Sequence, residues 1–206
     1  MKKINLFLIG ILLIASFLRI WKLSQVPVSL FGDEVDLGYQ AYSVLKTGRD
    51  YYGNFMPIHF HSLAEWRTPL YIYSAVPTVA IFGISPLGVR LPAAIFGILG
   101  VLVFYFLVKQ LTNNKLLATV SAFLLAISPW HIQYSRAGFE VTLLLLLLLL
   151  GLLFFIKSLT NGKFLWLSVF FFVLTPWVYS TAKLFTPLLM LFLLIMYWKN
   201  ILSLSK

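Results

Sequence analysis

The stretch Phe31-Gly32-Asp33-Glu34-Val35-Asp36 places three acidic side chains together in a chain that is otherwise basic and apolar. Five of the six acidic residues lie within residues 24–68, and only Glu140 lies outside that segment. Adjacent carboxylates near a membrane suit general-base chemistry, because a low dielectric and a like-charged neighbour both shift carboxyl pKa values. The simpler alternative is that Asp33 and Glu34 only cap a helix, which is the commoner role of such a pair.

The composition identifies the class of protein. Hydrophobic residues make up 61% of the 206 residues and charged residues only 11%, whereas about a quarter of a soluble domain is charged. We therefore predict an all-α fold, a polytopic integral membrane helical bundle. The net charge of +10 comes from single lysines between apolar segments, which indicates topology signals and contacts with membrane lipids and excludes a nucleic-acid partner. The absence of cysteine excludes disulfides, thiolate metal sites and cysteine nucleophiles.

The first apolar run extends from Ile4 to Leu18, after Lys2 and Lys3, and it is followed by Arg19 and Trp21. A basic start and an apolar middle also characterise a signal peptide. Because no small-x-small cleavage site follows the run, we favour a first transmembrane helix, extended at its ends by snorkelling basic side chains.

Residues 24–68 form the first external loop in this prediction. Aromatic and aliphatic residues recur at helical spacing after the acidic stretch, so we expect an amphipathic juxtamembrane helix from about Glu34 to Lys46, ended by Gly48. A turn-rich segment and a short extended piece with His59 and His61 follow. The two histidines have no second ligand pair nearby, so ordinary interfacial histidines are favoured over a metal site.

The remainder is one membrane domain, so that residues 1–206 constitute a single transmembrane module. An apolar segment from Pro69 to Ile84 contains Pro77 and is ambiguous as a span. Five further helices are expected at about residues 87–108, 116–127, 139–156, 164–178 and 184–198. Residues 128–136 are predicted to be a polar, aromatic connection, and the eight leucines from Leu143 to Leu150 are predicted to face lipid.

The short-loop lysines and arginines decide between seven crossings and six. With seven crossings, five basic residues lie inside and six outside. If residues 69–84 enter the membrane and return, eight lie inside and three outside. The second topology obeys the positive-inside rule. It also brings the acidic loop, the connection that contains Arg136 and Glu140, and the connection from Tyr179 to Lys183 to one face of the membrane.

Several short motifs occur in a characteristic order along the chain. They are Gly32-Asp33-Glu34, the segment from Ala41 to Gly53, Arg67-Thr68-Pro69-Leu70-Tyr71-Ile72-Tyr73, Val89-Arg90-Leu91-Pro92, Ile127-Ser128-Pro129-Trp130-His131, Ser135-Arg136 and Phe139-Glu140. From about Arg19 to Pro187, the chain resembles bacterial glycosyltransferases of the protein O-mannosyltransferase and aminoarabinose-transferase type. These are GT-C enzymes related to glycosyltransferase family 39.

The resemblance implies transfer of a sugar, with inversion, from a polyprenyl-phosphate-linked donor to an external lipid, glycan or protein acceptor. Asp33 corresponds to the catalytic acidic residue of the family, which acts as the general base on the acceptor hydroxyl. Glu34 is its partner. Arg67 and Arg136 are the candidates for binding the donor phosphate, because the guanidinium fork suits phosphate oxygens. Interfacial anchoring is the alternative role for both arginines.

Further expectations concern the surroundings of this site. Candidate substrate contacts are Tyr42, Tyr71, Glu140 and Lys183, and a divalent cation beside Asp33 and Glu34 stays open as a cofactor. The resemblance also implies a bacterial-type cytoplasmic membrane, with the active-site loop on the extracytoplasmic side.

Two departures from the family pattern matter for function. Arg67-Thr68-Pro69 replaces the usual Lys-Pro-Pro, and the chain ends soon after Trp198, so that it resembles the amino-terminal half of such an enzyme. The alternatives are therefore a non-catalytic membrane subunit or a truncated remnant, or a chain completed by a second chain that supplies further helices. A lipid or sugar transporter is disfavoured, because no inverted repeat is evident and the charged residues lie at segment ends.

Overall fold

The computed structural model describes residues 6–62 and 65–203, which fold into an α-helical bundle with one small β-hairpin. Lys2, Lys3 and Lys206, which enter the topology count, lie outside the described residues. The helices are α1 (Leu6–Ile20), α2 (Gly32–Thr47), α3 (Pro69–Phe82), α4 (Pro86–Thr112), α5 (Lys115–Ile127), α6 (Pro129–Ser135), α7 (Val141–Ser158), α8 (Leu165–Leu174), α9 (Ala182–Met196) and α10 (Trp198–Ser203). Strands β1 (Phe60–His61) and β2 (Trp66–Arg67) pair antiparallel. The predicted all-α class is confirmed.

The apolar helices differ in their ability to cross a membrane. Among the described residues, α4 and α7 are long and apolar enough by length and composition, and α5 with α6 forms a third candidate that is bent by 58°. Helices α1, α3 and α9 and the helical segment 162–177 are shorter. The six predicted full spans therefore correspond to two full-length helices, one bent pair and three shorter helices. The 14 residues of α3 extend only about 21 Å, which is less than the ~30 Å of a hydrocarbon core.

Helix α4 lies at the centre of the bundle. It packs against α1, α3, α5, α6 and α7. Small residues on its inner surface, including Ala93, Ala94 and Gly97, are buried and allow these neighbours to approach closely. Ser85 precedes the helix and accepts a hydrogen bond from the Gly88 amide, and Pro86 occupies the first turn, where a missing N–H costs nothing.

The leucine run of α7 is not lipid-facing as a whole, so that prediction was wrong. Leu143, Leu146, Leu147 and Leu149 are buried, because α7 packs against α4 on one side and α8 on another. A run of identical apolar residues contains no periodicity that distinguishes a protein-facing surface from a lipid-facing one. Only tertiary contacts determine which leucines are buried.

The polar, aromatic connection predicted at residues 128–136 is largely helical. Ser128 is extended, and Pro129 starts α6 with the fixed φ that suits a first helical turn. His131 and Ser135 on this short helix are buried against the bundle.

Helix α2 confirms the predicted amphipathic helix. Its buried face includes Leu37, Ala41 and Val44, which join the core formed with α3. Gly48 ends the helix with a left-handed φ of 67° and donates its N–H to the Val44 carbonyl, a conformation that glycine adopts without strain. The β-hairpin follows and positions Arg67 beside the first turn of α2.

Candidate active site

A four-residue ionic cluster lies at the start of α2. The Nη2 atom of Arg67 donates to Asp33 Oδ1 at 2.7 Å and lies 3.0 Å from Glu65 Oε1. Its Nε lies 2.9 Å from Asp36 Oδ2, as an ion pair without the alignment of a hydrogen bond. Asp33 and Asp36 are separated by nearly one helical turn and therefore share a face of α2. The structure thus brings the predicted base, Asp33, into direct contact with the predicted phosphate ligand, Arg67.

The cluster has a buried side and an open side. The side chains of Arg67 and Asp36 are each 12% exposed, whereas those of Asp33 and Glu65 are 45% and 63% exposed. Burial would lower the pKa of Arg67, but the Asp33 hydrogen bond and the charges of Asp33, Asp36 and Glu65 hold that pKa above its usual value. The Nη2 end of Arg67 therefore carries a permanent charge and faces the accessible side of the cluster.

Tyr51 fixes the buried side of the cluster. Its hydroxyl donates to Asp36 Oδ1 at 2.8 Å, and its amide donates to the Gln40 side chain. Burial, followed by the Asp36 hydrogen bond and charge, raises the pKa of Tyr51 to about 12, so the hydroxyl keeps its proton at neutral pH. Tyr51 was not predicted as a site residue, because its contact with Asp36 depends on the fold of the turn after α2.

Glu34 does not share the environment of Asp33, although the two residues are adjacent. Glu34 is 1% exposed and receives hydrogen bonds from Arg90 Nε at 2.7 Å and Arg90 Nη2 at 2.9 Å. The Phe31 and Gly138 amides also donate to this carboxylate. Burial would raise the pKa of Glu34, but the hydrogen bonds from Arg90, Phe31 and Gly138 outweigh it and hold that pKa below its usual range. The Phe31 bond shows that Glu34 does cap α2.

Three segments that are distant in sequence meet at this end of the bundle. The Gly138 amide bonds to Glu34, which joins the loop after α6 to α2. The Thr68 hydroxyl donates to the Val178 carbonyl at 2.6 Å, which joins the β-hairpin to the segment before α9. A Cβ on residue 138 would come within 2.8 Å of Val89, so this close approach requires glycine.

Glu140 is a further carboxyl group on this side of the protein. It occupies the position before α7 and is partly buried. Burial raises its pKa, the Arg67 charge opposes that shift, and the Asp33 and Glu65 charges add to it. Glu140 therefore senses the ionic cluster electrostatically while making no ion pair with any residue in the described ranges 6–62 and 65–203.

Arg136 lies in a different environment from Arg67. Its Nη1 donates to the Leu18 carbonyl at 2.8 Å, and its Nη2 donates to the Trp21 and Val26 carbonyls at 2.8 and 2.9 Å. Burial and the nearby Arg90 charge lower the pKa of Arg136. The guanidinium is thus occupied by the backbone at and after the end of α1, next to Arg90.

The remaining candidate contacts are distributed over different environments. Tyr42 is 37% exposed on the outer face of α2. Tyr71 is 1% exposed, and its hydroxyl donates to the Val89 carbonyl at 3.2 Å, so its side chain faces the core. Lys183 is exposed in the first turn of α9.

The groups considered for metal binding make other contacts in the structure. His61 lies between the rings of Tyr52 and Trp66, with centroid distances of 4.5 and 4.8 Å, and His59 is 5.9 Å from Trp177. Within the described part of the chain, no three His, Asp or Glu side chains form a group that could hold a metal ion. The Glu34 carboxylate faces Arg90, so Asp33 and Glu34 do not form a joint cation site here.

The chain matches known proteins over most of its length. Residues 67–206 match the family described as dolichyl-phosphate-mannose-protein mannosyltransferase. The chain belongs to this family. Arg67 is the first residue of the matched region, whereas Asp33 precedes it.

Two relatives come from Bacillus subtilis (strain 168). "Putative mannosyltransferase YkcB" is 27% identical over 175 residues, which cover 84% of this chain and 23% of that protein. "Putative mannosyltransferase YycA" is 26% identical over 174 residues, which cover 82% of this chain and 24% of that protein. The matched region thus spans about a quarter of the length of each relative.

Proposed function

We propose that this chain carries the catalytic loop of a membrane glycosyltransferase that moves a sugar from a polyprenyl-phosphate-linked donor to an external acceptor with inversion. The observation that carries the proposal is the contact between Asp33 and Arg67, which unites a half-exposed carboxylate and a cation on one accessible surface. Membership of the mannosyltransferase family supports this reaction class. The proposal places the cluster on the extracytoplasmic face of the membrane.

In the proposed reaction, Asp33 accepts the proton of the acceptor hydroxyl as that oxygen attacks the anomeric carbon. The bond between this carbon and the phosphate oxygen breaks in the same step, and its electron pair leaves with the polyprenyl phosphate. One displacement inverts the configuration at the anomeric carbon. Arg67 stabilises the departing phosphate through its Nη2 group, as cations do for developing negative charge in water-poor sites.

Arg67 pairs with Asp33 in the free protein and, in this proposal, binds the phosphate once the donor arrives. In the free protein, Nη2 of Arg67 contacts Asp33 and Glu65, which are both substantially exposed. A phosphate oxygen that approaches from the open side competes with these two carboxylates, whereas the contact between Nε and the buried Asp36 remains. We propose that donor binding thereby releases Asp33 from Arg67 and makes it available as a base. Glu34 supports the site through Arg90 and does not take part in proton transfer.

The decisive experiment measures donor binding and sugar transfer separately. The chain is reconstituted in nanodiscs, a radiolabelled polyprenyl-phosphate mannose is used as donor, and membranes supply the acceptors. Asp33→Asn should bind donor and lose transfer by a factor of about 10²–10⁴, which is typical for a lost general base. Arg67→Ala should lose donor binding, and Arg67→Lys should restore part of it because the charge returns without the fork.

Glu65→Gln is the matched control, because it also removes a carboxylate from Arg67 Nη2 but does not remove the proposed base. It should retain transfer. If Asp33→Asn and Glu65→Gln behave alike, or if Asp33→Asn loses donor binding as severely as Arg67→Ala, Asp33 is not the base. If no variant and no wild-type chain binds the donor, a non-catalytic membrane subunit becomes the better description.

A further inference from the structure

A cavity of about 360 Å³ opens on the outer side of α2, beside the ionic cluster. This volume lies at the lower end of the range of small-ligand sites, about 300–1,000 Å³. Its walls include three tyrosine rings and two cations, from Tyr39, Tyr42, Tyr51, Lys46 and Arg49. None of its lining residues is aliphatic. The lining therefore does not suit an acyl chain.

The cavity is connected directly to the proposed catalytic cluster. Tyr51 forms one wall, and its hydroxyl donates to Asp36, which contacts Arg67. Asp50 at the base of the cavity accepts hydrogen bonds from the Tyr52 and Asn54 amides and from the Asn54 side chain, at 2.8–3.0 Å. These bonds hold the turn after α2 in place, so the cavity is preformed.

A row of aromatic rings leads from the cavity to the strand that carries Arg67. Successive centroids are separated by 5.9, 4.8, 4.5 and 4.8 Å along the series Tyr39, Tyr51, Tyr52, His61 and Trp66. Tyr39, Tyr52 and Trp66 are each more than half exposed. The exposed rings of this row present faces that a ligand can contact.

The two cations of the cavity, which the Asp50 carboxylate also lines, form no close ion pair with the described residues. Lys46 lies over the Tyr42 ring, with its Nζ atom 5.6 Å from the centroid, and Arg49 lies over the Phe55 ring. Neither forms an ion pair with a carboxylate among residues 6–62 and 65–203. Arg49 also donates from Nη1 to the Gly53 carbonyl at 2.6 Å, so the Lys46 ammonium and the other guanidinium nitrogens of Arg49 are the groups available to an anionic ligand.

We propose that this cavity binds one sugar unit of an acidic glycan, and that such a glycan is the acceptor. A pyranose ring presents C–H groups to the negative face of an aromatic ring, and its hydroxyls match short polar side chains such as Ser43 and Thr47. Lys46 and Arg49 would bind its carboxylate. The row of rings continues the track toward Arg67, where the acceptor hydroxyl must meet Asp33. The role of this glycan as acceptor rests on the proposed transferase function, whereas its binding to the cavity does not.

Binding is measured by calorimetry on the chain in nanodiscs of zwitterionic lipid, without donor. The probe is a tetrasaccharide of alternating glucuronate and N-acetylglucosamine, compared with neutral chitotetraose and with inorganic phosphate. We expect the acidic tetrasaccharide to bind more tightly than the neutral one and not to be displaced by equimolar phosphate. Tyr42→Ala should weaken binding by about tenfold, and Tyr42→Phe should preserve it, because the ring and not the hydroxyl makes the contact.

Lys46→Ala should remove the preference for the acidic tetrasaccharide, whereas Lys46→Arg should keep it. Lys115→Ala, which removes an exposed lysine at the start of α5, is the matched control and should have no effect. Asp33→Asn should keep the preference for the acidic over the neutral tetrasaccharide while it loses transfer, so that failure of the catalytic proposal and failure of this inference are distinguishable.

Three results would overturn the inference. The first is equal binding of acidic and neutral tetrasaccharides in the wild-type chain. The second is competition by inorganic phosphate alone, or by phosphatidylglycerol added to the nanodiscs, since the cavity would then recognise a phosphate or a lipid headgroup. The third is loss of binding in Tyr42→Ala together with a lowered unfolding temperature, with Tyr42→Phe equally affected, because that pattern reflects structural damage.

Discussion

The Glu34 carboxylate accepts two hydrogen bonds from the Arg90 guanidinium, and both side chains are almost completely excluded from solvent. Arg90 also donates to the Pro27 and Ser29 carbonyls at 2.8 and 2.7 Å. One ion pair thus connects α2, α4 and the loop that precedes α2. It holds the backbone on which Asp33 is mounted.

Removing one partner of this pair should destabilise the protein severely. Glu34→Gln or Arg90→Met leaves a buried charge without its counterion, which typically costs about 3–5 kcal/mol. The double variant Glu34→Gln/Arg90→Met should be less damaging than the sum of the two single variants. Thermal unfolding in nanodiscs, followed by circular dichroism, gives the comparison.

The control is Glu65→Gln, which removes an exposed carboxylate from Arg67. Exposed ion pairs contribute about 0–1 kcal/mol, so its unfolding temperature should stay close to that of the wild type. If Glu34→Gln unfolds at the wild-type temperature but loses transfer, Glu34 has a chemical role and not the supporting role proposed here.

The acidic stretch illustrates which parts of the site are accessible to sequence analysis. The helix at residues 32–47 and its end at Gly48 follow from local spacing and from the glycine itself. The partners of the two adjacent acidic residues do not follow from local spacing. Asp33 pairs with Arg67 and Glu34 pairs with Arg90, through contacts that span 34 and 56 residues. Helical geometry points the two side chains in different directions, but only the tertiary packing of α2 on α3 and α4 determines which one is buried.

Burial of Glu140 predicts a dependence of stability on pH. Its folded-state pKa is raised, chiefly by burial, so its contribution to stability is fully present below the unfolded pKa of about 4.3 and is lost as the pH rises through the folded pKa. Glu140→Gln should therefore raise the unfolding temperature at pH 7.5 by about 2–4 °C. The gain should vanish near pH 4.

Glu65 is exposed, and its charge adds to the raised pKa of Glu140, so the gain from Glu140→Gln should be smaller in the Glu65→Gln background. The charges of Arg67, Asp33 and Glu65 act on the pKa of Glu140. The measurement is therefore repeated in the Arg67→Lys background, which keeps the positive charge at position 67. A gain for Glu140→Gln that is equal at both pH values would show that the effect comes from packing and not from titration.

Arg136 and Arg67 should give opposite phenotypes. Arg136→Ala removes three hydrogen bonds to backbone carbonyls at and after the end of α1, each with a charged donor, so the unfolding temperature should fall. Donor affinity of the folded fraction should remain unchanged. Arg67→Ala should lower donor affinity. It leaves the half-exposed Asp33 and Glu65 free to hydrate, but Asp36 keeps only the Tyr51 hydrogen bond, so some stability is lost as well and donor affinity is the property that separates the two variants.

Arg136→Lys refines that comparison, because lysine keeps the charge but cannot span the three carbonyls with a planar fork. It should be nearly as unstable as Arg136→Ala. A stable Arg136→Ala variant that no longer binds donor would instead make Arg136 a phosphate ligand, as the resemblance to the glycosyltransferase family implied.

Two segments show how tertiary contacts decide what composition leaves open. The polar, aromatic composition of residues 128–136 predicted a connection without its conformation, and burial of His131 and Ser135 against α4 accompanies a short helix there. The leucine run suggested a lipid-facing surface, but four of its leucines are in protein contacts. In both segments, tertiary contacts override a local tendency that is weak or absent.

The membrane orientation of the acidic loop can be tested with cysteines introduced into this cysteine-free chain. Ser135 is completely buried, so a cysteine there would not be accessible, and the exposed Gln133 on the same short helix is the better position. Thr47 at the end of α2 and Gln110 near the end of α4 are also exposed.

If α3 enters the membrane and returns, cysteines at positions 47 and 133 should react with a membrane-impermeant thiol reagent in intact cells, and one at position 110 should react only after permeabilisation. This pattern follows from the positive-inside rule, because the connection from α4 to α5, with Lys109 and Lys115 at its two ends, would lie at the inner face. Labelling at position 110 with protection at position 133 would favour seven crossings instead. Because the Gly138 amide contacts Glu34 directly, protection at position 133 with labelling at position 47 would also contradict the packing of the two loops described above.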